Sequence, residues 1–203
     1  SHKGNVSCLG VAHQGNIGSL RETWDYFVYE MGCSSFIPQA FISDQPCGTN
    51  NKRDFHLFFK RYAEIRNQIN KRNGIYGEIT IQNRCGMCSG ELAIGADGNV
   101  FPCQSLLKEE LCGGNIRENS LKGILINSNL FAKIRSYTVD HFELCQDCDF
   151  RYLCGGGCRA IHYELFNNLT KTNPEICKVS EKIIVENMFE SSILSNIRSS
   201  EFV

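Results

Sequence analysis

The chain opens its regular patterning with Val6-Ser7-Cys8-Leu9-Gly10-Val11, a short apolar run with β-branched residues that predicts a buried strand. Ser19-Leu20-Arg21-Glu22 has the spacing of a capping box and predicts a helix through Met31, stopped by Gly32. Residues 33–42, CSSFIPQAFI, read as the next strand, with Pro38 calling for some strain or an edge position. SDQPCGTNNKRD, residues 43–54, is loop chemistry. A second helix is expected from an Asp54 N-cap to about Arg72, ended by Gly74, because Phe55, Phe58, Tyr62, Ile65 and Ile69 share one helical face. Strand, helix, strand, helix predicts βα units of a parallel sheet. About three such strands cannot close an eight-stranded barrel, which takes about 250 residues.

From about residue 84 the pattern changes. Glu91–Phe101, ELAIGADGNVF, predicts a β-hairpin turned at Asp97-Gly98. Leu121 to Tyr137 reads as one or two short helices, and Pro174 precedes a last helix over about Glu175 to Arg198. The fold class is therefore α+β: a partial α/β segment over residues 1–83, an irregular cysteine-rich domain with a hairpin and short helices over 84–180, and a C-terminal helix and tail over 181–203.

Composition narrows the function classes. Apolar residues make up 42% of the 203 and charged residues 21%, with a net charge of −1 and no long run of one sign. Neither a nucleic-acid footprint nor a membrane-surface patch is expected from that balance. No stretch reaches 18 uninterrupted apolar residues, and SHKGNVSCLG lacks the apolar core of an export signal. A reducing cytoplasm is the expected compartment, and there twelve cysteines point to metal or redox chemistry rather than to six disulfides.

Spacing sorts most of those cysteines into two groups. One is Cys85-x2-Cys88-x9-Gly98-x4-Cys103, in which the hairpin folds the chain back on itself. The other is Cys145-x2-Cys148-x5-Cys154-x3-Cys158, with Cys177 further on. A Cys-x2-Cys turn aims two sulfurs at one centre, in zinc and in iron–sulfur sites alike. Gly155, Gly156 and Gly157 carry no Cβ, so backbone N–H groups can wrap close to cluster sulfides. Structural zinc prefers paired sets of four, and the gaps x2, x5 and x3 fit a run whose fourth cysteine serves a neighbouring cluster better than one zinc tetrahedron. Zinc remains the alternative, as the staple of a peptide-binding module. Cys8, Cys33 and Cys47 lack partners at metal spacing and read as core or loop thiols.

From Cys88 to Cys177 the spacing resembles that of the SPASM domain, the C-terminal extension of many radical S-adenosylmethionine (SAM) enzymes. DGNVFPCQSL, GNIRENSL and CGGGCRA carry the same likeness, and residues 5 to 80 resemble the last βα units of the partial barrel that precedes such domains. The resemblance implies two auxiliary [4Fe–4S] clusters with interleaved ligands. Cys145, Cys148, Cys154 and Cys177 would hold the second. Cys88, Cys103 and Cys158 would hold the first, with Cys85 as fourth ligand, Cys112 as its rival and an open iron as a third possibility. It also implies a peptide or protein substrate and, as a partner, the N-terminal radical SAM domain of a parent chain.

The SAM-cleaving motif Cys-x3-Cys-x2-Cys occurs nowhere in the 203 residues. SAM and a third [4Fe–4S] cluster are therefore expected only in an N-terminal part, and this chain is not expected to cleave SAM alone. No residue here is assigned a catalytic role. The sulfatase-maturing branch that the chain resembles places an Asp directly after the second motif cysteine as a proposed base; here that residue is Gln104, whose amide takes no proton at neutral pH. That departure favours peptide crosslinking or epimerisation over sulfatase maturation. His13 is read as a loop histidine rather than a cavity residue, and His56, His141 and His162 as surface or helix-face residues.

Overall fold

The computed structural model describes residues 6–41, 52–73 and 81–200, with side-chain surroundings defined outside 52–56 and 190–200. The chain divides into two units, Ser1–Thr80 with Asn173–Val203, and Ile81–Thr172.

In the first unit β1 (Ser7–Ala12) pairs in parallel with β2 (Ser35–Ala40), in a register that sets Cys8 opposite Phe36 and Gly10 opposite Pro38. Parallel neighbours need a helical crossover, supplied by α1 (Leu20–Asp25) and a wider π turn over Tyr26–Glu30. Gly10 is required where it stands, because a Cβ there would lie 2.5 Å from the ring of the buried Phe36. The helix opens differently from the sequence expectation. Ser19 makes no side-chain cap; its hydroxyl instead donates to the Asn16 carbonyl, and a short 3₁₀ turn over Ile17–Ser19 leads the chain in. The expected stop stands: Gly32 takes φ +71°, and Cys33 N–H then donates to the Phe27 carbonyl.

α2 (Lys52–Arg72) turns Phe58, Tyr62 and Ile69 inward at helical spacing, joined by Phe59. Tyr62 Oη donates to the Pro38 carbonyl, tying α2 to β2. Asn73, just past the helix, links three segments: its Oδ1 accepts from Trp24 Nε1 at 2.6 Å and its Nδ2 donates to the Phe36 carbonyl at 3.0 Å. α7 (Pro174–Ser200) lies along α2, with Asn67 Nδ2 and Lys71 Nζ both directed at Glu186 Oε2. Gly74 and most of the 43–54 loop, with Cys47, lie outside the described residues.

The second unit is built on a three-stranded antiparallel sheet in the order β3 (Ala93–Ile94), β4 (Asn99–Phe101), β5 (Gly114–Asn115). The hairpin turns where expected, with Gly98 at φ +91° and Asp97 Oδ1 accepting from Asn99 N–H. α3 (Leu121–Asn127) and α4 (Asn129–Ser136) are separated by Ser128, whose hydroxyl accepts from Phe131 N–H and so starts the second helix as the first ends. α5 (Arg151–Cys154) and α6 (Arg159–Phe166) complete the unit. Among the described residues no helix is long and apolar enough to cross a membrane.

Asn73→Leu removes the partner of a buried indole N–H. Loss of about 1–3 kcal/mol is expected, read as a lower urea midpoint in the fluorescence of Trp24, the sole tryptophan.

Candidate metal centre

Cys85 and Cys88 lie on a tight loop wound about one acceptor: the Gly86 carbonyl receives the N–H groups of Ser89, Gly90 and Glu91 at 3.0, 2.7 and 3.0 Å. Cys88 adopts φ +58°, a left-handed conformation that a side-chain-bearing residue holds only when its surroundings impose it. Its N–H is shared between the carbonyls of Glu91 and Pro102. The bond to Pro102 carries the hairpin back, so Cys103 arrives beside Cys88. The segment after Cys103 is pinned to α6 by Tyr163 Oη donating to Glu110 Oε1 at 2.8 Å and by Lys108 Nζ against Glu164 Oε2 at 3.2 Å. Cys158, the residue that caps α6, is thereby held toward Cys103.

The second group is assembled by consecutive turns. Cys148 N–H donates to the Cys145 carbonyl, and the backbone N–H and Nη1 of Arg151 donate to the Cys148 carbonyl, starting α5 toward Cys154. Gly155, Gly156 and Gly157 then take φ of +64°, +80° and +68° in succession. A Cβ on Gly155 would strike the Gln82 side chain at 2.7 Å, and one on Gly156 the ring of the buried Phe142 at 2.5 Å. Glycine is required there twice over, by dihedral and by space. The N–H groups of Gly156 and Gly157 are turned onto the Cys154 sulfur, where they favour its charged form.

Electrostatics sorts the thiols as the turns do. Burial pushes the Cys88 thiol up to about 12; Arg135 opposes that, and charge on Cys103 and Cys85 adds to it. Burial likewise raises Cys103 to about 11, eased by the Ser105 N–H and reinforced by Cys158, Cys85 and Glu91. Cys158 is raised by crowding around its sulfur, with Ile161 N–H opposing and Cys85 adding. The residue is nonetheless exposed, so water reaches it and the push is weaker than at the buried Cys88 and Cys103. In the second group burial raises Cys145, against Arg159 and with Cys154 and Cys148. Cys154 is raised by burial too, with Cys148 adding. Cys85, Cys88, Cys103 and Cys158 thus share one field, and Cys145, Cys148 and Cys154 share another.

Cys112 is half-buried, and its sulfur is directed at the Gly114 carbonyl at 3.5 Å rather than at either group. Cys177 is half-buried on α7, in the first unit. None of the eleven described cysteines is in a disulfide. Among the described residues no three of His, Cys, Asp or Glu converge tightly enough for a single metal ion.

Two residues escaped the sequence reading. Arg159 is fully buried, stacks 4.2 Å from the Phe142 ring centroid and donates to the Lys171 carbonyl. Its charge favours the thiolate form of Cys145, Cys154 and Cys158 together. Adjacency to Cys158 was the available signal, but an arginine is expected at the surface by default. His162 is buried rather than on a surface face, its pKa lowered to about 3 by burial and then by Arg159. His141 is exposed and closes a one-turn cap with Thr138, while His13 Nδ1 accepts from Gly15 N–H, both local turn roles. Gln104 is exposed, and the His56 side chain lies outside the described residues.

Residues 85–149 match the family model SPASM, an iron–sulfur cluster-binding domain. A cysteine-type anaerobic sulfatase-maturating enzyme of Clostridium novyi is 34% identical over 88 residues, 43% of this chain and 23% of that protein. One of the same description from Clostridium perfringens strain 13 is 32% identical over 114 residues, 53% and 30% of the two chains. An AdoMet-dependent heme synthase of Methanosarcina barkeri is 30% identical over 122 residues, 56% and 33%. The chain therefore spans between about a quarter and a third of these curated relatives. The solved structure of native anSMEcpe with bound AdoMet superposes with a TM-score of 0.61 at 20% identity, covering 93% of this chain and 57% of that one. The same protein with bound AdoMet and Kp18Cys peptide gives 0.59 at 20% identity, over 92% and 56%. At that identity the likeness establishes the fold.

Gly156→Ala sets a methyl group against Phe142 and forces a left-handed alanine. After anaerobic reconstitution it should retain less than about half the wild-type iron, since such strain costs about 1–3 kcal/mol; unchanged iron would show that the loop tolerates a side chain. The metal-free chain should also have a defined alkaline limit. Cys88 and Cys103 hold protons that the unfolded chain releases near pH 9, so their contribution is complete below about pH 9. It is lost as pH rises through about 11 and 12. Thermal melts under reductant should hold between pH 8 and about 9 and fall from there to about pH 12.

Proposed function

We propose that this chain, a SPASM-domain relative of the radical SAM maturases, holds two auxiliary [4Fe–4S] clusters for an enzyme that modifies a peptide or protein. The observation that supports this most is the division of seven thiols into two fields linked by one glycine run. Cys85, Cys88, Cys103 and Cys158 would hold the first cluster. Cys145, Cys148 and Cys154 would hold the second, and Cys177 enters as its fourth ligand on the sequence resemblance alone. Cys85 is preferred to Cys112 because its charge acts on Cys88, Cys103 and Cys158.

The protein's own work at this site is electrostatic and steric. Cysteines bind iron as thiolates, and burial opposes their ionisation. Arg159 offsets that opposition in both groups, and the N–H groups of Gly156, Gly157, Ala160 and Ile161 offset it at Cys154 and Cys158. When bound, the clusters would supply electron acceptance during substrate oxidation, or an iron at which substrate binds. SAM cleavage is assigned to a radical SAM segment of a parent chain, with its own cluster on Cys-x3-Cys-x2-Cys. A reducing cytoplasm suits thiolate ligands of this number.

Two neighbouring structures hold bound peptides, Kp18Cys and Cp18Cys, which supports a peptide or protein as substrate class. The relatives' names favour sulfatase maturation as a second reading. Gln104 opposes it, because an amide does not replace a carboxylate as proton acceptor. Thioether or carbon–carbon crosslinking of a ribosomally made peptide, or epimerisation, is therefore preferred.

Anaerobic reconstitution should give a brown chain with about eight irons and eight acid-labile sulfides, by the arithmetic of two [4Fe–4S] clusters. Cys85→Ala should lose about four of them, whereas Cys112→Ala should lose none. Cys148→Ala should lose iron and protease resistance together, because metal binding is also folding energy. A colourless chain with one to three zincs under these conditions would overturn the reading in favour of a zinc-stapled binding module.

A further inference from the structure

Cys8 and Cys33, 25 positions apart and outside both candidate cluster groups, bring their sulfurs to 3.4 Å. Both are free and half-buried, so small reagents reach them while the fold restricts where they point. Three features fix the contact. Cys8 lies within β1, its backbone locked opposite Phe36 by the parallel register, and on the strand face that also carries Gly10 and Ala12. Gly32 reverses the chain at φ +71° directly before Cys33, and the Cys33 N–H is held by the Phe27 carbonyl. One residue later, Ser34 N–H donates to the Val6 carbonyl, so Cys33 enters β2 alongside the start of β1.

From this contact we infer that Cys8 and Cys33 form a redox-active dithiol that closes reversibly to a disulfide by exchange with a small-molecule disulfide of the glutathione class. The atoms and electrons balance in two steps. The Cys8 thiolate attacks one sulfur of the reagent, forming a mixed disulfide and releasing one thiolate. Cys33 then gives up its proton and attacks the Cys8 sulfur, forming the Cys8–Cys33 bond and expelling the second thiolate. The protein loses two electrons and two protons, and the reagent is reduced to two thiols. Cys33 is the resolving partner: its thiol is held protonated, first by the hydrogen bond to Cys8 and then by burial and by charge on Cys8. A covalent sulfur pair stands about 2.05 Å apart, so closure requires the two sulfurs to approach by a little over an ångström. The bond would tie the entry of β2 to β1 across the α1 crossover and limit the unfolded freedom of that unit.

The test uses the cluster-loaded 203-residue chain and oxidised glutathione under anaerobic conditions, with visible absorbance followed to show that the clusters persist. After alkylation and tryptic digestion, mass spectrometry should find the peptide bearing Cys8 joined to the one bearing Cys33, in wild type and in Cys47→Ser alike. Dithiothreitol should reverse the link. Cys33→Ser should instead accumulate a glutathione adduct on Cys8, at least about tenfold more than wild type, because the intramolecular step no longer removes it. Oxidation should also raise the urea midpoint read from Trp24 in wild type and not in Cys8→Ser. A link from Cys33 to Cys47, or stable adducts on both cysteines of the wild type, would overturn the proposal.

Discussion

Buried thiols that would have to ionise, if they hold the clusters proposed above, are the constraint on which this molecule depends. Cys88, Cys103 and Cys145 sit where the neutral form is favoured, and each would carry its charge beside other thiolates. Water cannot solvate that charge inside the fold, so only a cation shared among the sulfurs makes the arrangement favourable. The iron–sulfur cores proposed above would supply it. Much of the second unit becomes intelligible as a device for holding sulfurs near one another without letting them meet: the Gly86 loop, the left-handed Cys88, the hairpin and the three glycines.

The glycine run joins this constraint to the topology. Cys154 belongs to one field and Cys158 to the other, with only residues 155–157 between them. Three successive left-handed residues keep the path compact and turn N–H groups onto the Cys154 sulfur, and α6 then starts with Cys158 as its cap. Arg159 follows at once. A fully buried guanidinium is costly in an apolar interior, and its stack on Phe142 and bond to the Lys171 carbonyl offset that cost. Thiolates of the proposed clusters would add to that, since Arg159 favours the charged form of Cys145, Cys154 and Cys158.

The regular elements were largely legible from sequence because their signals are local. β1, β2, α2, the hairpin at Asp97-Gly98, α3, α4 and α7 all follow from apolar periodicity and turn residues. The failures are equally physical. Ser19 had the spacing of a cap, but the 3₁₀ turn before it set a backbone in which its hydroxyl bonds Asn16 instead. β5 is two residues long and is held by pairing with β4, so it carries no period to detect. The turns at Cys85–Cys88 and Cys145–Cys148 could be read because Cys-x2-Cys spacing records them. Cys8 and Cys33 could not, since parallel pairing across a crossover joins residues whose separation depends on the helix between them. Arg159 and His162 were missed because their burial is a tertiary fact.

Iron-edge anomalous scattering from crystals of anaerobically reconstituted chain is the most direct measure of the central claim. Two separate peaks are expected, one among Cys85, Cys88, Cys103 and Cys158 and the other beside Cys145, Cys148 and Cys154. A single peak shared by all seven sulfurs, or scattering at the zinc edge alone, would contradict it.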